Sequence, residues 1–180
     1  MEKTYNKYID RLIGYIKQTN RNEVTKVCKV LIEAIKEGKR IYVAGNGGSM
    51  ATAIHFSEDL MLGNDLGVKS FHFGNISKVT AISNDEEYSQ VFSYQLRKVM
   101  DNGDIFFCIS ASGNSRNLIE GIKVANQKGI SIGLSGFNGG GLKRHSTYSI
   151  HTKTKVGDYE ATEDLHYIIC HMIACMIRGD

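Results

Sequence analysis

Arg40-Ile41-Tyr42-Val43-Ala44-Gly45-Asn46-Gly47-Gly48-Ser49-Met50 decides the fold of this chain. Five residues rich in β-branched and aromatic side chains read as a strand, the small residues behind them as a tight turn, and Ser49 to Met61 as a helix. The pattern returns about sixty residues later. Asp104-Ile105-Phe106-Phe107-Cys108-Ile109 is a continuous apolar run of the kind found in a parallel strand buried on both faces, and Ser110-Ala111-Ser112-Gly113-Asn114-Ser115 follows it as a second turn. Turns of this kind bring backbone N–H groups and hydroxyls close to an anion, and the helix behind them adds a partial positive charge. Glycine and serine also serve tight turns for steric reasons alone, so it is the pair of turns that points to a phosphorylated ligand.

Working outward, Tyr8, Ile9, Leu12, Ile13 and Ile16 keep helical spacing, and Val24, Val27, Cys28, Leu31 and Ile35 form a second helical stripe that Gly38 ends. Phe71-His72-Phe73 reads as a strand, Glu87 to Met100 as a helix, and Leu118, Ile119, Ile122 and Ala125 as a helix ending near Lys128-Gly129. Ile130 to Leu134 and Tyr148 to His151 are further strands, and a last helix spans about Ala161 to Arg178. Strands alternating with helices predict an α/β three-layer sandwich around a parallel five-stranded sheet, with both turns at carboxyl ends of strands. At 180 residues the prediction is a single domain, residues 1–180.

Composition narrows the function. Hydrophobic residues at 42% and charged residues at 23% describe a globular protein, and no run approaches the roughly 20 apolar residues of a membrane helix. Met1-Glu2-Lys3-Thr4-Tyr5 lacks the apolar stretch of a signal peptide, so the expected location is the cytoplasm, with no membrane partner. Cys28, Cys108, Cys170 and Cys175 sit within apolar patterns and read as reduced core thiols. A net charge of +3 is too small to argue for nucleic acid. A dinucleotide fingerprint fails because Met50 stands where a third glycine belongs, and no Gly-Lys-Ser/Thr follows either turn. The absence of proline carries no functional reading.

His55 and Asp59 are four apart on the helix after the first turn, a spacing that lets two side chains meet one ion or one substrate. Glu163 and His171 are eight apart on the last helix, about 12 Å of rise. Either that helix starts late, leaving Glu163 on a flexible approach, or one of the two residues serves a neighbouring subunit. His166, Tyr167 and Cys170 share a face with Glu163 and are candidates to stand in for any of these four residues, whereas His72, His145 and His151 read as surface or packing residues.

Gly45-Asn46-Gly47-Gly48-Ser49, His55-Phe56-Ser57-Glu58-Asp59-Leu60, Thr80 to Asp85 and Ile109 to Ser115, at these spacings, resemble the phosphoheptose isomerase family of sugar isomerase (SIS) domains. The resemblance covers nearly the whole chain and implies the SIS fold, oligomerisation through the amino-terminal helices, and a homotetramer with active sites between subunits. It further implies ketose–aldose isomerisation of sedoheptulose 7-phosphate to D-glycero-D-manno-heptose 7-phosphate or a close relative through an enediol(ate). Implied substrate contacts are Asn46, Gly47, Gly48, Ser49, Asn84, Asp85, Ser110, Ala111, Ser112, Ser115 and Glu163, with Ser110, Ser112 and Ser115 as the phosphate cradle. Asp59, Glu163 and His171 fall at the acid–base positions, and His55, Asp59, Glu163 and His171 at those of one divalent ion, zinc being the expected one. The chain departs from the family at three places: Asp59 replaces a glutamate, Glu163 a glutamine, and Gly63 an arginine. A non-catalytic SIS scaffold, similar to the replication-initiator-associating members, is the alternative; Gly113-Asn114-Ser115-Arg116 resembles that group, while His55 and His171 speak against it.

Overall fold

The computed structural model describes residues 1–63 and 66–179. Its centre is a five-stranded, all-parallel sheet in the order β2-β1-β3-β4-β5, made of β1 (Arg40–Ala44), β2 (Lys69–His72), β3 (Ile105–Ser110), β4 (Ile130–Ser135) and β5 (Tyr148–His151). Alternation of side chains across each strand builds two cores. Ile41, Val43, Ile105, Phe107, Ile109, Ile132 and Leu134 point to one face, where α1 (Glu2–Gln18), α2 (Arg21–Lys36), α3 (Gly48–Leu62) and α8 (Tyr159–Arg178) pack. Tyr42, Ala44, Phe106 and Cys108 point to the other, under α5 (Val91–Val99), α6 (Arg116–Lys128) and α7 (Gly140–His145). Parallel strands covered on both faces must be apolar throughout, which is why β3 reads as an unbroken hydrophobic run.

The turns that position the site are fixed by ordinary end rules. Gly38, at φ +69°, closes α2 with Gly38 N–H donating to Ile35 O and Lys39 N–H to Ala34 O, the paired bonds of a Schellman end. The chain leaves β1 through α3 to β2 on one side of the sheet, then crosses back over β1 through α5 to reach β3 on the other. That reversal opens a crevice at the carboxyl ends of β1 and β3, the place where open α/β sheets bind ligands. Both Ser/Gly turns leave from those two strand ends.

Two helices go beyond the sequence reading. In α4 (Ile76–Asp85) no residue is buried, so its Ile76, Val79 and Ile82 spacing reflects only partial packing; the Asn75 side chain caps it by accepting from Lys78 N–H. The six residues of α7 begin with two glycines, which argue against a helix by propensity. The stretch from 87 to 100 is not one helix: a 3-10 turn at Tyr88–Gln90 precedes α5. Cys28, Cys108 and Cys170 are buried free thiols and Cys175 is half-buried, as expected of core cysteines. No helix among the described residues is long and apolar enough to cross a membrane.

Candidate functional site

The first turn is shaped by what glycine permits. Gly47 takes φ +53° and ψ −126°, a conformation side chains oppose, and a Cβ on Gly48 would fall 2.2 Å from Oε2 of Glu163. The close approach lets the start of α3 and the first turns of α8 share one wall. In the second turn Ser110 Oγ accepts from Gly113 N–H at 3.1 Å and lies 3.4 Å from Ser115 Oγ, while Ser112 Oγ accepts from Asn114 N–H. Ser115 is the N-cap of α6, yet its hydroxyl caps no helical N–H and stays available at the helix's positive end. The loop after β4 and the first turn of α7 brace this turn: Leu142 N–H donates to Gly113 O, Gly141 N–H to Asn114 Oδ1, and a Cβ on Gly113 would sit 2.2 Å from Gly139 O.

The two turns converge on one pocket of about 200 Å³, lined by Asn46, Ser49, Ile109, Ser110, Ala111, Ser112, Ser115, Tyr159 and Glu163. Seven of these were expected from the sequence; Ile109 and Tyr159 were not. No hydrogen bond or ion pair from a described residue reaches the Glu163 carboxylate, and burial, reinforced by Glu160 and Asp164, raises its pKa. Asn84 and Asp85 lie at the end of α4, with Asn84 Nδ2 donating to Asp85 Oδ1, and do not line the pocket.

A second cluster lies further along α3 and α8. Nε2 of His55 is 3.4 Å, and Nε2 of His171 3.5 Å, from the same Asp59 oxygen, Oδ2, and all three donor atoms fall within 4.8 Å of one another. With metal–donor distances of about 2.0–2.2 Å, tetrahedral coordination puts neighbouring donors about 3.4 Å apart, so the two nitrogen–oxygen separations to Asp59 match edges of such a polyhedron. Tyr167 holds both imidazoles from one side, stacked on His55 at 5.1 Å between ring centres and edge-on to His171 at 4.6 Å.

Glu163 is not part of that group. α8 is regular from Tyr159, which removes the late-starting helix, and about 12 Å of rise separates Glu163 from His171. Within one subunit the structure therefore brings three of the four expected ligands together and places the fourth in the serine pocket. His166 and Cys170 do not substitute for it. His166 is fully buried, its Nε2 3.0 Å from Thr152 Oγ1, and burial lowers its pKa to about 3; Cys170 is buried beneath Asp59 with its thiol pushed far up by desolvation. His151 is a packing residue, as read: its backbone N–H donates to Glu23 Oε2, and its ring lies between Lys143 Nζ and Phe137 O. Beside Gly63, at the end of α3, an added Cβ would lie 3.1 Å from the Arg178 guanidinium, so a cation from α8 stands next to the position where the family carries arginine.

Comparison with known proteins agrees with this architecture. A family model described as SIS domain matches residues 4–136. The phosphoheptose isomerase of Cytophaga hutchinsonii is 32% identical over 172 residues, covering 93% of this chain and 90% of that protein. That of Helicobacter hepaticus is 33% identical over 168 residues, covering 87% and 82%. Among solved structures, the phosphoheptose isomerase of Neisseria gonorrhoeae superposes with a TM-score of 0.89 at 24% identity over 99% of this chain and 97% of that one, a likeness of fold.

Proposed function

The chain belongs to the phosphoheptose isomerase family of SIS-domain proteins, and from that premise we propose that it isomerises a phosphorylated ketose to the aldose, with sedoheptulose 7-phosphate as substrate. The observation that carries this reading is the convergence of the two Ser/Gly turns and Glu163 on one pocket. Ser110, Ser112 and Ser115, with the α6 N-terminus, bind the phosphate, and Asn46 and the Gly47–Gly48 backbone contact the sugar. The non-catalytic scaffold is the weaker reading, because a scaffold has no use for two imidazoles aimed at one carboxylate oxygen.

Isomerisation needs a base at the carbon beside the carbonyl, an acid at the carbonyl oxygen, and stabilisation of the enediolate between them. Asp59, Glu163 and His171 supply those roles. Glu163, with no partner among the described residues and its pKa raised by burial, is suited to take a proton, and His171 to give one. His55, Asp59 and His171 would hold a divalent ion such as zinc, and that ion would polarise the carbonyl oxygen in place of a proton from His171. The reacting centre forms where Glu163 of one subunit meets the His55–Asp59–His171 group of the next, in a cytoplasmic homotetramer. Ile9 and Ile13 on α1 and Met172 and Met176 on α8, apolar and exposed on the isolated chain, support such an interface.

Incubation with sedoheptulose 7-phosphate, with and without zinc, should yield the heptose 7-phosphate. No aldose product from this or any other ketose phosphate would leave the scaffold reading in its place. Mixing inactive His171→Ala and Glu163→Ala tetramers after subunit exchange should restore part of the activity, since some mixed boundaries carry both native groups. A mixture that stays inactive would show that one subunit supplies the whole centre.

A further inference from the structure

Asn46 reaches the pocket with its amide already committed. Leu118 N–H donates to Asn117 Oδ1 at 2.9 Å, which fixes that atom as oxygen and so fixes the orientation of the Asn117 amide. Asn46 Nδ2 then donates to Asn117 Oδ1 at 3.0 Å, and Asn117 Nδ2 returns a hydrogen bond to Asn46 Oδ1 at 2.9 Å. The Tyr88 hydroxyl donates to the same Asn46 Oδ1 at 2.8 Å. Both lone-pair directions of Asn46 Oδ1 are thus occupied, and one of its two N–H groups is used. What remains for a ligand is a single N–H.

From this geometry we infer that Asn117 and Tyr88 are positioning residues that make Asn46 a donor-only group, able to bind a substrate oxygen acceptor and unable to accept from a hydroxyl. Asn117, 2% exposed at the start of α6, also ties the first turn to the helix that carries the serine turn, so the two halves of the cradle are held in one register. Tyr88 comes from the 3-10 turn between α4 and α5 and anchors the outer side of the same amide. An amide free to rotate would offer oxygen or nitrogen equally; the reciprocal pair and the tyrosine remove that choice before any ligand arrives. The inference rests on the proposed site, because Asn46 is there taken to touch the sugar phosphate.

The test pairs a binding measurement with one that needs no ligand. Asn117→Asp keeps the acceptor for Leu118 N–H and Asn46 Nδ2 but sets an oxygen against Asn46 Oδ1, opposing two acceptors. The affinity for sedoheptulose 7-phosphate, read by calorimetry, should then fall roughly tenfold to a hundredfold. Asn46→Ala should weaken binding too, and Asn117→Asp should add no more than about twofold on that background, because residues acting through one group are not additive. Tyr88→Phe, a change at an exposed hydroxyl that leaves folding untouched, should weaken binding severalfold in the native background and not in Asn46→Ala. Additive losses, or full affinity in both Asn117→Asp and Tyr88→Phe, would overturn the inference. In the ligand-free protein, the Asn46 side-chain amide resonances should shift on either change; unmoved resonances would also overturn it. If the native protein fails to bind the sugar phosphate, the proposed substrate falls, while the amide resonances still decide how Asn46 is held.

Discussion

The serine pocket and the histidine–aspartate cluster lie on the same two helices and are built on opposite plans. In the pocket, most groups offered to a ligand come from turns at the ends of β1 and β3, with Glu163 added from α8, and the second turn is braced by hydrogen bonds from the start of α7. In the cluster, three side chains reach out from helix surfaces; the imidazole side chains are 44% and 46% exposed, and among the described residues Tyr167 packs across both rings. A cradle made of backbone is fixed once the sheet forms, so it binds by preorganisation. Side chains reaching out from helices can change residue by residue, and the chain departs from its family at such side chains: at Asp59 in the cluster and at Glu163, which α8 brings to the pocket.

That contrast breaks first under His171→Ala, the largest expected effect. Turnover should fall about 10²- to 10⁴-fold, the usual result of losing an acid–base group, while oligomeric state by light scattering and affinity for the sugar phosphate stay as they were. Loss of phosphate affinity in the same variant would show the two regions to be one. The converse change is smaller. Replacing Ser112 and Ser115 by alanine should weaken phosphosugar binding by about 1–3 kcal/mol in calorimetry and leave zinc affinity at the cluster unchanged. Unaltered sugar-phosphate affinity would place the phosphate elsewhere.

The smallest effect separates the cluster from the core beneath it. His166, five residues before His171, is buried with its pKa lowered to about 3, and Nδ1 has no hydrogen-bond partner among the described residues. The unfolded chain takes up that proton near pH 6.5 and the folded chain only near 3. Acidification through this window therefore costs stability, by about 1.4 kcal/mol per pH unit. Urea midpoints should drop between pH 6.5 and 4.5, and the drop should be shallower in His166→Gln; equal slopes would assign the acid sensitivity to other groups.

The same contrast explains what could be read in advance. β1, β3 and the turns behind them are legible because doubly buried strands and anion-binding turns leave compositional marks; α6 follows from its periodicity, and α3 from its place behind the first turn. The order of the strands is not marked in any one segment, and α4 and α7 are masked by absent burial and by glycine. His55 and Asp59 show as an i, i+4 pair, but His171 joins them only through the packing of α8 on α3, a contact between residues more than a hundred positions apart. Asn117 and Tyr88 carried no signal: an asparagine in the first turn of a helix and a tyrosine at the start of another helical stretch are unremarkable until their amide and hydroxyl are seen to meet Asn46.

Gly113, Gly139 and Gly140 press the serine turn against the β4–α7 loop so tightly that a Cβ on Gly140 would come within 2.6 Å of the Ser112 and Gly113 backbone. For anyone transplanting this phosphate-binding turn into another parallel sheet, the portable unit is therefore larger than the motif. Residues 110–115 cut out alone would arrive without the wall they lean on. The graft has to carry residues 136–142 as well, and the recipient must present two adjacent strands to receive both pieces.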